Sequence, residues 1–160
     1  MPKKAQKLPR TLSIEEVYQM FNASIDNPRD NFLLKFMFFT AMRNDEVRRQ
    51  RIEDIDLING VVHVRMGKGK KDRKIPIPDF FIQEIKDYLM LIGRTSGYLF
   101  EGRDEFGRMS DRHIRRIVKK YAKLAGLRNW WEVHPHTFRH SYATFLRNKG
   151  VPLDVMLETD

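Results

Sequence analysis

The chain has 160 residues, 30 of them Lys or Arg against 21 Asp or Glu, for a net charge of +9 and no cysteine. That length suits one domain with a real core, since 41% of the residues are hydrophobic and 11% aromatic. No run approaches a membrane span, the basic opening MPKKAQKLPR lacks a signal peptide's apolar stretch, and without cysteine there is no disulfide or thiolate chemistry. The reading is therefore a soluble, intracellular protein with no membrane role, whose excess charge suits a polyanionic partner, nucleic acid first.

Residues 1–10, with Pro2 and Pro9, read as a basic arm or linker remnant, and residues 11–160 as the folded domain. Ser13 and Glu16 form a capping box that opens a helix to about Ser24, with Val17, Met20 and Phe21 on its apolar face. A second helix starts near Pro28 and is apolar on nearly all sides, through Phe32, Leu33, Phe36, Met37 and Phe39, as a central helix would be. Past Arg43 the pattern stays helical to about Arg51.

The period then changes. Gly60–Met66, a Gly-Lys turn over 67–72, and Arg73–Ile77 read as a β-hairpin with a cationic tip. Phe81, Ile85, Tyr88, Leu89 and Ile92 restore helical spacing, and Tyr98–Phe100 suggests a short strand. Ser110 caps a helix with Ile114, Ile117, Val118, Tyr121 and Ala125 inward, which Gly126 ends, and a last helix runs from about Thr137 to Asn148. The fold class is α+β, mainly α-helical with one small antiparallel sheet.

Four features bear on chemistry. In Thr40-Ala-Met-Arg43-Asn-Asp-Glu46, the spacing predicts Arg43 and Glu46 on one helical face, where the carboxylate orients the guanidinium; an ordinary surface ion pair has the same spacing. Gly67-Lys68-Gly69-Lys70-Lys71-Asp72-Arg73 lacks the Ser or Thr of a Walker loop, yet a glycine-flanked lysine on a turn can approach a phosphodiester, or simply remain solvated. His134-Pro-His136-Thr-Phe-Arg139-His140 has neither the HExxH pattern nor a cysteine or carboxylate to complete a zinc site, and His136 with Arg139 suits proton transfer beside an anion clamp. Finally Arg112, Arg116, Lys119 and Lys123 lie on one stripe opposite the apolar face of their helix, placed to follow phosphates or to enter a major groove.

In this order and spacing the motifs resemble the catalytic domain of the tyrosine recombinases, the family of phage integrases and Xer-type recombinases, over about residues 8–157. The resemblance implies that Arg43 and Arg139 grip the scissile phosphate, that Lys68 protonates the leaving 5′ oxygen, that His136 assists proton transfer at an attacking tyrosine, and that Glu46 holds Arg43. It implies no cofactor and no metal and duplex DNA as partner; with that partner, Lys70, Lys71 and Arg73 of the basic turn, Arg112, Arg116, Lys119 and Lys123 of the stripe, and His140 are the expected DNA contacts. The family's Thr-Gly-Leu before the first arginine is Thr40-Ala41-Met42 here. Its later His or Trp and its nucleophilic tyrosine, some 20 and roughly 30 residues after the second arginine, would fall just past Asp160.

None of Tyr18, Tyr88, Tyr98, Tyr121 and Tyr142 occupies the nucleophile's position. The expectation is a C-terminally incomplete catalytic domain that binds DNA without cutting it alone, with oligomerisation on DNA left to the full-length protein. A non-catalytic DNA-binding protein that retains the fold is the alternative, and an RNA-associated protein a third.

Overall fold

The structure is a computed structural model and describes residues 10–148 apart from 67, 68 and 70. Helix α1, Ile14–Ala23, opens with the expected reciprocal cap: Ser13 Oγ accepts from the Glu16 N–H at 3.1 Å, and Glu16 accepts from the Ser13 N–H at 3.0 Å. Helix α2, Pro28–Thr40, starts on Asn27, whose side chain accepts from the Asp30 N–H, with Pro28 at a first-turn position that needs no N–H donor.

Phe32, Leu33, Leu34, Phe36, Met37, Phe38 and Phe39 are all buried, so α2 is the central element the sequence predicts. Phe32 stacks on Tyr88 at 4.0 Å between centroids, and Phe38 meets Phe138 edge-on at 6.3 Å and Tyr142 at 5.4 Å. Aromatic pairs in these geometries add to simple area burial. They clamp α2 between helix α4, Asp79–Ile92, and helix α6, Pro135–Asn148.

The helical pattern past Arg43 does not continue α2. Ala41 adopts the left-handed conformation (φ 51°), its N–H donating to Met37 O at 3.0 Å, and the chain turns before helix α3, Asn44–Arg49. This is the position where the family resemblance expects glycine. A left-handed alanine costs about 1–2 kcal/mol, and the buried setting of Ala41 holds it there. Helix α3 ends two residues earlier than expected, because Gln50 is already extended.

Among the described residues the sheet has three antiparallel strands in the order β1, Ile55–Asp56, β2, Val61–Val64, and β3, Arg73–Pro76. The expected hairpin is β2–β3, with Val62 opposite Ile75 and Val64 opposite Arg73. Two-residue β1 is too short to leave an alternation in sequence. The expected strand at Tyr98–Phe100 is instead a single bridge, Tyr98 to Arg51, with the Leu99 N–H donating to Gln50 O at 2.9 Å.

Helix α5, Asp111–Leu124, is capped by Ser110, which accepts from the His113 N–H. Its inner face holds Ile114, Ile117, Val118 and Tyr121 as predicted, with Ala122 rather than Ala125 completing it. Tyr121 donates to the buried Asp30 carboxylate at 2.6 Å and so ties α5 to α2. Helix α6 begins at Pro135, two residues before the expected start, where the His134 N–H donates to Thr137 Oγ1 at 3.1 Å. Among the described residues no helix is long and apolar enough to cross a membrane.

Candidate nucleic-acid interface

Arg43 leaves the core at the turn that Ala41 creates. It is the N-cap of α3, with extended backbone (φ −68°, ψ 152°) and an exposed side chain, so it and Glu46 do not share a helical face as the spacing suggests. The Arg43 N–H donates to Glu46 Oε1 at 2.9 Å, and the Arg43 charge also acts on that carboxylate. Glu46, 4% exposed, directs its carboxylate at Arg73 of β3, which donates through Nη2 at 3.0 Å to Oε1 and through Nη1 to Oε2. Burial pushes the Glu46 carboxyl up, but the Arg73 guanidinium and the Arg43 N–H outweigh it and hold the group below the usual 4.5.

The motifs place Arg73 among the expected DNA contacts and give no sign of this partnership. Strand alternation carried the signal, because Arg73 lies two residues from the buried Ile75 and therefore on the same face of β3.

Helix α6 supplies the second half of the site. Arg139 is 6% exposed, pinned where Phe138 enters the core, while His136 keeps access to solvent one turn earlier. The His140 ring lies edge-on to His136, 4.3 Å between centroids. That neighbour removes part of the water around His136. The imidazole is held below the usual 6.5 by desolvation first, then by the positive charges of His140, Arg139, His134 and Arg43. Residues from α3 and α6, far apart in sequence, thus act on one imidazole.

The sign of that shift is testable. His136 should titrate below 6.5 when its ring protons are followed by NMR, and so be neutral at pH 7, with a lone pair available to accept a proton. Because the folded value is the lower one, the stability linked to His136 is complete above pH 6.5 and fades as the pH falls through the folded value. A midpoint at or above 6.5 would contradict the cationic cluster.

The basic stripe of α5 borders this site. Arg112, Arg116, Lys119 and Lys123 are all exposed, opposite the buried face, as predicted. Burial, then the charges of Arg115 and Lys119, and then that of His140, depress His134, so the α5 edge reaches the start of α6. Arg115 is exposed beside the stripe, four residues before Lys119. It pairs with Asp111 at 2.7 Å, and Asp111 accepts from Asn44, the residue after Arg43. That chain of contacts fixes the beginning of α3 against the beginning of α5.

On the hairpin, Lys71 is exposed, whereas Lys68 and Lys70 lie outside the described residues. Among the described residues no three His, Asp or Glu side chains gather as a metal would require. The arrangement is two guanidiniums and two imidazoles converging beside a cationic helix. Its chemistry suits a phosphodiester: planar forks for the non-bridging oxygens and a neutral imidazole for proton transfer.

The comparisons agree with this architecture. The fold superposes on the crystal structure of XerA recombinase with a TM-score of 0.85 at 27% identity, over 99% of this chain and 56% of that one. XerH recombinase in a pre-cleavage complex with its difH substrate gives a TM-score of 0.78 at 26% identity, covering 98% of this chain and 48% of that one. In sequence the chain is 36% identical over 160 residues to the tyrosine recombinase XerA of Pyrococcus furiosus, covering 98% of this chain and 54% of that protein. It is 32% identical over 156 residues to a tyrosine recombinase of Pseudothermotoga lettingae, covering 97% and 53%. It therefore spans about half the length of these relatives. The profile of the Phage integrase family matches residues 10–159, nearly the whole length, and the chain belongs to that family.

Proposed function

We propose that this chain is the DNA-binding catalytic domain of a site-specific tyrosine recombinase, which recognises duplex DNA and organises one phosphodiester for strand cleavage and rejoining. The observation that carries the reading is the grouping of His136, Arg139 and His140 on α6, which Phe138 fixes against α2, with the charge of Arg43 reaching the same imidazole from the start of α3. Arg43 and Arg139 would take the non-bridging oxygens and stabilise the charge that grows as phosphorus becomes five-coordinate. A tyrosine hydroxyl would attack phosphorus and form the 3′-phosphotyrosyl bond as the bond to the 5′ oxygen breaks. Its proton would pass towards His136, and Lys68 would protonate the departing oxygen. Glu46 accepts from the Arg43 N–H at the start of α3 and anchors β3 through Arg73, so it ties the first arginine to the sheet.

Each tyrosine of the chain is engaged away from this cluster. Tyr121 donates to Asp30, Tyr88 stacks on Phe32, Tyr142 packs on Phe38, Tyr18 sits against Phe21, and the Arg51 guanidinium covers Tyr98 at 4.5 Å. The experiment therefore has two readouts on the 160-residue chain. Duplex DNA binding, followed by anisotropy, should weaken steeply with added salt. A nicked suicide duplex should give no covalent adduct on a denaturing gel. Absence of salt-dependent duplex binding would refute the reading, and an adduct would overturn the assignment of the nucleophile to a tyrosine other than these five.

A further inference from the structure

A second cationic cleft lies beside the site, between α3 and the sheet, and the phosphate chemistry described above does not use it. It encloses about 260 Å³, and four arginines line it: Arg49 and Arg51 at the end of α3, Arg65 after β2 and Arg108 before α5. Glu46, Arg49 and Arg108 also line a neighbouring cleft of about 480 Å³ that reaches Arg43. The two hollows thus share a wall made by Glu46, Arg49 and Arg108, and arginines outnumber the carboxylates Asp45, Glu46 and Asp54 along their lining.

Carboxylates neutralise these arginines unequally. Arg65 is held by Asp54 at 2.8 Å and Arg108 by Asp104 at 2.6 Å. Arg49 donates through Nε to the Asp45 carbonyl at 3.3 Å, and among the described residues no carboxylate pairs with it. Arg51 meets Glu53 at 3.5 Å with both side chains nearly half exposed, a pairing that water largely screens. Glu46, the acid between the two hollows, is already engaged by Arg73.

The guanidiniums are also held in place. Arg51 lies 4.5 Å from the Tyr98 ring centroid and Arg108 lies 4.8 Å from that of Phe106. Stacked planar forks lose little further freedom when they accept an anion. A volume of about 260 Å³ equals roughly nine waters, enough for a phosphodiester with part of its sugar.

We infer that the Arg49–Arg51 cleft holds a second backbone phosphate of the duplex whose scissile phosphate sits between Arg43 and Arg139. This rests on the DNA reading above and adds a contact that fixes the strand's direction across the site. A single gripped phosphate leaves the strand free to pivot, and a second removes that freedom.

The test is the salt dependence of duplex binding by the 160-residue chain. R49Q and R51Q, singly and together, remove charge from exposed side chains without stranding a buried carboxylate. K86Q, on the exposed face of α4, is the control for general charge. Each lost phosphate contact should lower the slope of log affinity against log salt by about 0.9, and affinity at 50 mM salt by roughly tenfold. R49Q/R51Q should therefore lose about 0.9 of a slope unit while keeping the helical circular dichroism and melting temperature of the parent, and K86Q should match the parent. If the parent binds duplex and the double variant keeps its slope, the cleft inference fails and the domain reading stands. If the parent shows no salt-dependent duplex binding, both fail.

Discussion

Glu46→Ala is expected to lower the unfolding free energy by about 3 kcal/mol, the range for breaking one partner out of a buried ion pair. The loss has two sources. Alanine frees the Arg43 N–H at the start of α3, and it leaves the Arg73 guanidinium, whose side chain is 21% exposed, facing the space the carboxylate filled. Glu46→Gln keeps an acceptor for the Arg43 N–H and loses the charge, so it should fall between the parent and alanine. Denaturant midpoints at pH 7 measure both.

The pH dependence separates the charge from the packing. Burial raises the Glu46 carboxyl and Arg73 and the Arg43 N–H lower it further, for a net value below the usual 4.5. Its contribution is therefore present above pH 4.5 and disappears as the pH drops through the folded value. The gap between parent and Glu46→Gln should close over that acidic window. A gap that stays constant from pH 7 to pH 3 would mean that shape, and not charge, holds Arg73.

Arg139→Ala is the second large effect, and it should appear in binding. A hydrogen bond to a charged group contributes about 2 kcal/mol, so duplex affinity should drop roughly thirtyfold, with a salt slope lower by about 0.9. The helix itself tolerates the change, because alanine is the best helix former and Phe138 next to it keeps the core contact. Arg139→Lys restores the charge without the fork. It should recover the salt slope more fully than the affinity. Equal binding by Arg139→Ala and the parent would remove this arginine from the interface.

Much of this arrangement could be read in the sequence where a local rule governs. The Ser13–Glu16 box, Pro28 at the start of α2 and Ser110 before α5 fix their helices by hydrogen bonds within a few residues. The α5 stripe followed from helical spacing alone. What escaped was set by distant contacts. The break at Ala41 gives no composition signal, since alanine favours a helix, and only the buried turn imposes a positive φ there. Arg73 joined Glu46 rather than solvent because β3 turns that face inward, beside Ile75. The bridge from Arg51 to Tyr98 needs a partner from another part of the chain.

The packing of Phe38 on Phe138 and Tyr142 has a consequence for the grip itself. In the proposed grip it makes the two arginines unlike jaws. Arg139 stands on the helix that this stack fixes and is almost wholly enclosed, whereas Arg43, at the turn before α3, is exposed. A strand entering that grip would meet one enclosed guanidinium, which sets where the phosphorus must lie, and one that water already reaches. Register would then be decided by the enclosed arginine and first contact by the exposed one, a division of labour that two equally exposed side chains could not provide.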